Sequence, residues 1–186
     1  MQFFKHTIMV LAVMQFAFTA TAQKYITRTG RITFFSATPA ENIEALNNES
    51  AAALDAQTGA VSFQVPIRAF RFEKRLMEDH FNENYMESDK YPKASFSGTI
   101  RNNDAVRYTE NGTYPAVAEG TLTIHGVARK VSIPGTITVD NDSGTVTLHS
   151  RFMVKPADHG IRIPAVVASK IAKEIEVTVN TILKKK

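Results

Sequence analysis

Cysteine and tryptophan are both absent from the 186 residues. Without cysteine there is no disulfide, no thiolate nucleophile and no thiol acceptor for a lipid anchor. No apolar run reaches the ~20 residues that a membrane-spanning helix needs. The glycines at 98, 112, 120, 126, 135, 144 and 160 never cluster, which removes a phosphate-cradling loop. Basic residues are scattered among acids and gather only at Lys184-Lys185-Lys186, so the net charge of +4 gives no nucleic-acid footprint.

The N-terminus carries Lys5, an apolar run from Ile8 to Phe18, and Ala20-Thr21-Ala22 before Gln23. A positive start, a short apolar core and a small-x-small site make a secretory signal peptide over 1–22, cleaved near Ala22. The mature chain, 23–186, is then one exported domain without stable membrane insertion, and export with no cysteine suits a bacterial periplasm.

From Gly30 onward the pattern has the period of strands. Val127, Val131, Ile133, Ile137 and Val139 alternate with Ala128, Lys130, Ser132, Pro134, Thr136 and Thr138, and a matching run ends at Ile124. The two meet at His125-Gly126, a hairpin turn. Further turns at Asp55 to Gly59 and Asp140 to Gly144 separate other alternating runs, giving eight strands in all. One wet and one buried face implies antiparallel pairing, and an even number of strands favours closure into a barrel. Ala116, Ala118 and Gly120 on one inner face suit a taper or an enclosed cavity. Pro66 and Pro134 each mark a bulge or an edge.

Three short helices are expected. Thr38-Pro39-Ala40-Glu41 reads as a capped start of a helix to about Leu46. Phe72, Leu76, Met77, His80, Phe81 and Asn84 form an apolar stripe with Glu73, Lys74, Glu78, Asp79 and Glu83 outside it. Pro164 to about Lys173 is the third.

Site chemistry is sparse. His80 lacks a second histidine at zinc-binding spacing and, on the apolar stripe, reads as a hydrogen-bonded core histidine. His125 and His149 read as turn or solvent residues, and Asp158-His159-Gly160 as a capped turn rather than a catalytic dyad. With no assigned catalytic residue, metal or cofactor, the enzyme alternative is a metal- or histidine-dependent hydrolase using His80 or His159. A binding barrel with an apolar interior is the main reading, against a solid barrel that acts through a protein partner in an envelope stress response. A homodimer is left open.

Gly120-Thr-Leu-Thr-Ile-His-Gly-Val-Ala-Arg-Lys-Val131 resembles the hairpin motif of the YceI-like family, lipocalin-like proteins associated with polyisoprenoid binding. His80-Phe81, Tyr85-Met86, Lys90-Tyr-Pro-Lys-Ala-Ser-Phe96 and Asp158-His-Gly-Ile161 follow in that family's order. The resemblance implies an all-β fold, an eight-stranded antiparallel lipocalin-like barrel with short helical inserts, open at one end to a long apolar lipid. That lipid would be a polyisoprenoid, an isoprenoid quinone or a fatty-acyl chain, bound for transport, storage or sensing. Together with the inner-face parity, it assigns Phe63, Val65, Leu122, Ile124, Val131, Ile133, Leu148 and Phe152 to the cavity wall. Phe72, His80, Phe81, Tyr85 and Met86 would line or cap the mouth, and Arg68, Tyr114 and His80 are the candidates for reading a headgroup. The sequence departs from the family's pattern in lacking tryptophan and in placing His159 where an aromatic is common.

Overall fold

Alternation of apolar and polar side chains lets a strand bury one face only, and a barrel buries that face in every strand at once while removing free edges. The computed structural model, which describes residues 23–186, shows this solution. The signal peptide and cleavage site expected from the sequence lie outside the described residues. Strands β1 (Lys24–Ala37), β2 (Asn42–Asp55), β3 (Ala60–Pro66), β5 (Lys93–Ile100), β6 (Gly112–Ile124), β7 (Val127–Asp140), β8 (Thr145–Val154) and β9 (Ile175–Lys185) run antiparallel to their neighbours. Their order is β1-β9-β8-β7-β6-β5-β3-β2, and β2 pairs back onto β1 to close an eight-stranded barrel. A two-residue β4 (Arg71–Phe72) adds to β2, and one short helix, α1 (Arg75–His80), follows it.

The tight turns have the chemistry their sequences suggest. His125 and Gly126 lie at φ 51° and 74°, the pair of left-handed residues that a two-residue hairpin requires. At the opposite end, Asp55 accepts from the amides of Gln57 and Thr58, and Asp140 from those of Asp142 and Ser143, at 3.0 to 3.1 Å. Each of these loops closes on a glycine of positive φ, Gly59 and Gly144.

The structure corrects two of the expected helices. Thr38 to Leu46 is a turn followed by the start of β2: the Thr38 hydroxyl and amide both donate to the Glu41 carbonyl, capping a hairpin. A phase break concealed this strand, because inner residues Ala45 and Asn47 give way to Ser50, Ala52 and Leu54. Asn47 is fully buried and holds the break: its amide donates to the Pro66 carbonyl at 2.8 Å, and its Oδ1 accepts from the Glu49 amide and the Ser50 hydroxyl. Pro164 to Lys173 is likewise not a helix beyond a single 3-10 turn at Ala165–Val167, consistent with the poor helix propensity of paired valines. The middle helix forms in shortened form, and the chain widens after it into a π-type turn, Phe81–Tyr85, in which the Met86 amide donates to the Phe81 carbonyl at 2.9 Å.

The lower end of the barrel is packed, and Phe96 and Ile137 of its core cluster also border the cavity above it. Tyr25, Leu54, Phe96, Ile137, Val146 and Leu183 belong to one core cluster there. Tyr108, in the β5–β6 connection, stacks on Tyr25 and donates to Asn103 at 2.8 Å, plugging that end. Burial raises the pKa of both tyrosines, so they stay neutral hydrogen-bonding groups.

Candidate functional site: an apolar cavity open at one end

Above the plug the interior is not filled. A cavity of 630 Å³ rises through the upper half to an open mouth. Its wall is made by inward residues of successive strands, including Phe63 and Val65 of β3, Ala118, Leu122 and Ile124 of β6, Ile133 of β7, Leu148 and Phe152 of β8, and Val177 of β9. Phe72, His80, Phe81, Tyr85 and Met86 also line it, at the end where α1 and the π-type turn lie across the barrel. Of the residues assigned to wall and mouth from sequence, Val131 does not line the cavity. It pairs with Gly120 and packs on the lower core cluster. A side chain at Gly120 would begin 2.9 Å from the Phe96 ring and 2.4 Å from the Ser97 carbonyl. Gly120 is thus small because of that ring and the crossing strand, while Ala116 and Ala118 border free space.

Four phenylalanines roof the cavity. Phe81 lies 5.4 Å from Phe34, 5.7 Å from Phe70 and 5.1 Å from Phe72, ring centre to ring centre. Their tilted and edge-on contacts are those aromatic pairs prefer. Phe34 and Phe70 were not singled out from sequence. Phe34 has a signal in the β1 alternation, whereas Phe70 follows an irregular turn and has none.

Polar groups gather at the rim. Glu41 and Lys74 form an ion pair at 3.5 Å, and Lys170 lines the mouth from the β8–β9 connection. The buried Ser36 hydroxyl accepts from the Ala172 amide at 2.9 Å, tying that connection to β1. Two of the three headgroup candidates are elsewhere: Arg68 bonds Ser88 and Asp89 outside the cavity, and Tyr114 donates to the Glu110 carbonyl at the plugged end. His80 is at the mouth but exposed, with no hydrogen bond among the described residues, which corrects its reading as a bonded core histidine.

Of the remaining described histidines, His125 packs against the lid segment, the stretch running from α1 to Tyr91. His125 Nε2 lies 2.7 Å from Glu87 Oε2, with the Tyr91 ring 4.4 Å from its own, and its Nδ1 lies 3.3 Å from the His159 carbonyl. His159 is buried, and its Nδ1 donates to the Val127 carbonyl at 3.0 Å. His125 is thus the turn residue expected, with its side chain largely enclosed rather than in solvent, and His159 sits in a 3-10 turn ended by Gly160 at φ 72°. His149 is exposed on β8. Among the described residues, no three His, Asp or Glu side chains are grouped to hold a metal ion.

The YceI-like domain model matches residues 9–183. The chain belongs to the YceI-like family. Among solved structures, a polyisoprenoid binding domain from Saccharophagus degradans, implicated in plant cell wall breakdown, has a TM-score of 0.76 at 11% identity, over 89% of this chain and 100% of that one. BcnA of Burkholderia cenocepacia has a TM-score of 0.68 at 18% identity, covering 82% and 95%. A Campylobacter jejuni YceI protein has 0.54 at 14% identity, covering 74% and 80%. At these identities the likeness is one of fold. No curated protein matches at the sequence level.

Proposed function

We propose that this YceI-like protein binds a long apolar lipid, such as a polyisoprenoid, in the barrel cavity and performs no chemistry on it. The observation that carries this reading is an apolar cavity of 630 Å³ whose charged groups stand at its rim. That volume falls within the roughly 300–1,000 Å³ of small-molecule sites. Each methylene-sized group moved from water into such a wall contributes ~0.8 kcal/mol, so a few isoprene units outweigh the cost of holding the chain. The Saccharophagus domain of the same fold is described as polyisoprenoid binding, which supports the choice of ligand class. The N-terminal Lys5, Ile8 to Phe18 and Ala20-Thr21-Ala22 support export to the periplasm.

Native mass spectrometry of protein purified without detergent tests the reading. A bound apolar mass, lost on filling the cavity with Ala118→Phe, is expected. Protein that is empty and refuses a polyprenyl or fatty-acyl probe removes it. For the hydrolase alternative the decisive result is turnover abolished by His80→Ala.

A further inference from the structure

We propose that the segment from Ile161 to Lys173 docks the open end of the barrel on an anionic lipid bilayer. The segment reads IRIPAVVASKIAK and holds three cations, Arg162, Lys170 and Lys173, with no acid. None of the three enters an ion pair among the described residues, whereas Glu174 just beyond is paired with Lys155 at 3.2 Å. At its tip the turn Ala165–Val167 points apolar groups outward. Val166 is 86% exposed, more than any other exposed large apolar residue among those described. The next residue, Val167, faces the other way and lines the cavity with Ile171.

An apolar tip between the unpaired cations Arg162 and Lys170 is the combination that lets a peripheral protein sit in the headgroup region of an anionic membrane. Its place in the fold adds a reason. β7 and β8 are paired only from Gly135 to Asp140, while β8 continues on β9 to Val154, so the barrel wall is parted towards the mouth. The β8–β9 connection starts at this seam, where Arg129 Nε of β7 donates to the Asp158 carbonyl, and ends against β1 at Ser36. The same segment therefore offers a bilayer contact and borders the way into the cavity.

The opposite rim sets the orientation. Leu76 of α1 is also exposed, yet from Glu73 to Glu83 that stretch carries the acids Glu73, Glu78, Asp79 and Glu83 against the cations Lys74 and Arg75, a net negative charge. An anionic surface repels it, so the barrel should meet the bilayer with the Ile161–Lys173 side down.

The docking idea builds on the lipid-binding reading, and its test separates the two. The mature chain is floated with phosphatidylcholine vesicles and with vesicles containing added phosphatidylglycerol, while uptake of a fluorescent polyprenyl probe from dilute solution is measured in parallel. Binding to the anionic vesicles only, weakening with salt, is expected. Lys170→Glu with Lys173→Glu should weaken it by about fivefold or more per charge. Val166→Glu, exposed and so harmless to folding, should weaken it by about tenfold or more, and Leu76→Glu by less than twofold. Three results overturn the proposal: no binding to anionic vesicles, Val166→Glu without effect, or Leu76→Glu as damaging as Val166→Glu. A dimer that Val166→Glu dissociates while vesicle binding is unchanged also overturns it, in favour of a second copy as occupant. Uptake retained without vesicle binding removes docking and leaves the ligand reading; vesicle binding without uptake does the reverse.

Discussion

Glu87 and His125, 2.7 Å apart, are both non-glycine residues with left-handed backbone, at φ 42° and 51°. Each holds a conformation that costs an L-residue roughly 1–2 kcal/mol, so the contact joins two strained turns, one in the lid segment and one at the β6–β7 hairpin. His125 is nearly buried while Glu87 is half exposed, which limits the bond to about 1 kcal/mol. His125→Ala should therefore lower stability modestly and accelerate amide exchange in residues 74–92 ahead of the barrel strands. Glu87→Gly should cost less than Glu87→Ala, because glycine suits the backbone that both variants retain. Equal losses, or faster exchange spread evenly over the barrel, would count against a local clamp.

Asn47 makes a larger demand. It is fully buried and engages the Pro66 carbonyl, the Glu49 amide and the Ser50 hydroxyl, so Asn47→Ala leaves three polar groups without their partner. The expected cost is about 3 kcal/mol, which for a domain of this size lowers Tm by roughly 10 °C. A calorimetric shift of only a degree or two would mean that water replaces the side chain.

The strand faces, the His125-Gly126 hairpin and the two aspartate turns were legible in the sequence because each has a local cause: period-two burial, left-handed backbone, or a carboxylate capping nearby amides. Asn47 lies just past the helix expected to about Leu46, and its bond to Pro66 becomes visible only once β2 and β3 are side by side, while its local bonds to Glu49 and Ser50 do not distinguish a helix end from a strand. Similarly, Thr38 has the same capping chemistry in a hairpin as at a helix start. Phe70 and Lys170 join the cavity through irregular chain, where no periodicity points inward. Val131 has the right parity, but Phe96, brought over Gly120 by the adjoining strand, fills the space beside it.

Asp55 and Asp140 predict an acid limb. Backbone donation from Thr58 foremost holds Asp55 below the ordinary 3.8, and the Ser143 side chain foremost does so for Asp140, followed by its amide. Since the folded values are lowered, the stabilisation is present above the unfolded pKa and is lost as pH falls through the folded ones. Asn in place of either aspartate keeps an acceptor for the turn without titrating. Thermal melts between neutral and strongly acid pH should show a flatter acid limb for the double variant Asp55→Asn, Asp140→Asn than for the wild type. An unchanged slope would assign the acid sensitivity to other groups.

Phe81 connects lid stability to ligand exchange. Its ring touches Phe34, Phe70 and Phe72, which come from β1, the β3–β4 connection and β4, so it fastens the π-type turn over the cavity. Phe81→Ala should cost about 2 kcal/mol, less than a fully buried phenylalanine because the ring is only partly enclosed. If the cavity holds a lipid, the same change opens the roof above it and should speed release of a polyprenyl probe more than it slows uptake. Phe81→Leu retains apolar contact and should recover most of the stability with part of the retention. Stopped-flow release and thermal melts on the same samples check both quantities. Lost stability with unaltered release would make Phe81 a packing residue remote from the exit path, and unaltered stability with faster release would show that the lid is already loose in the wild type.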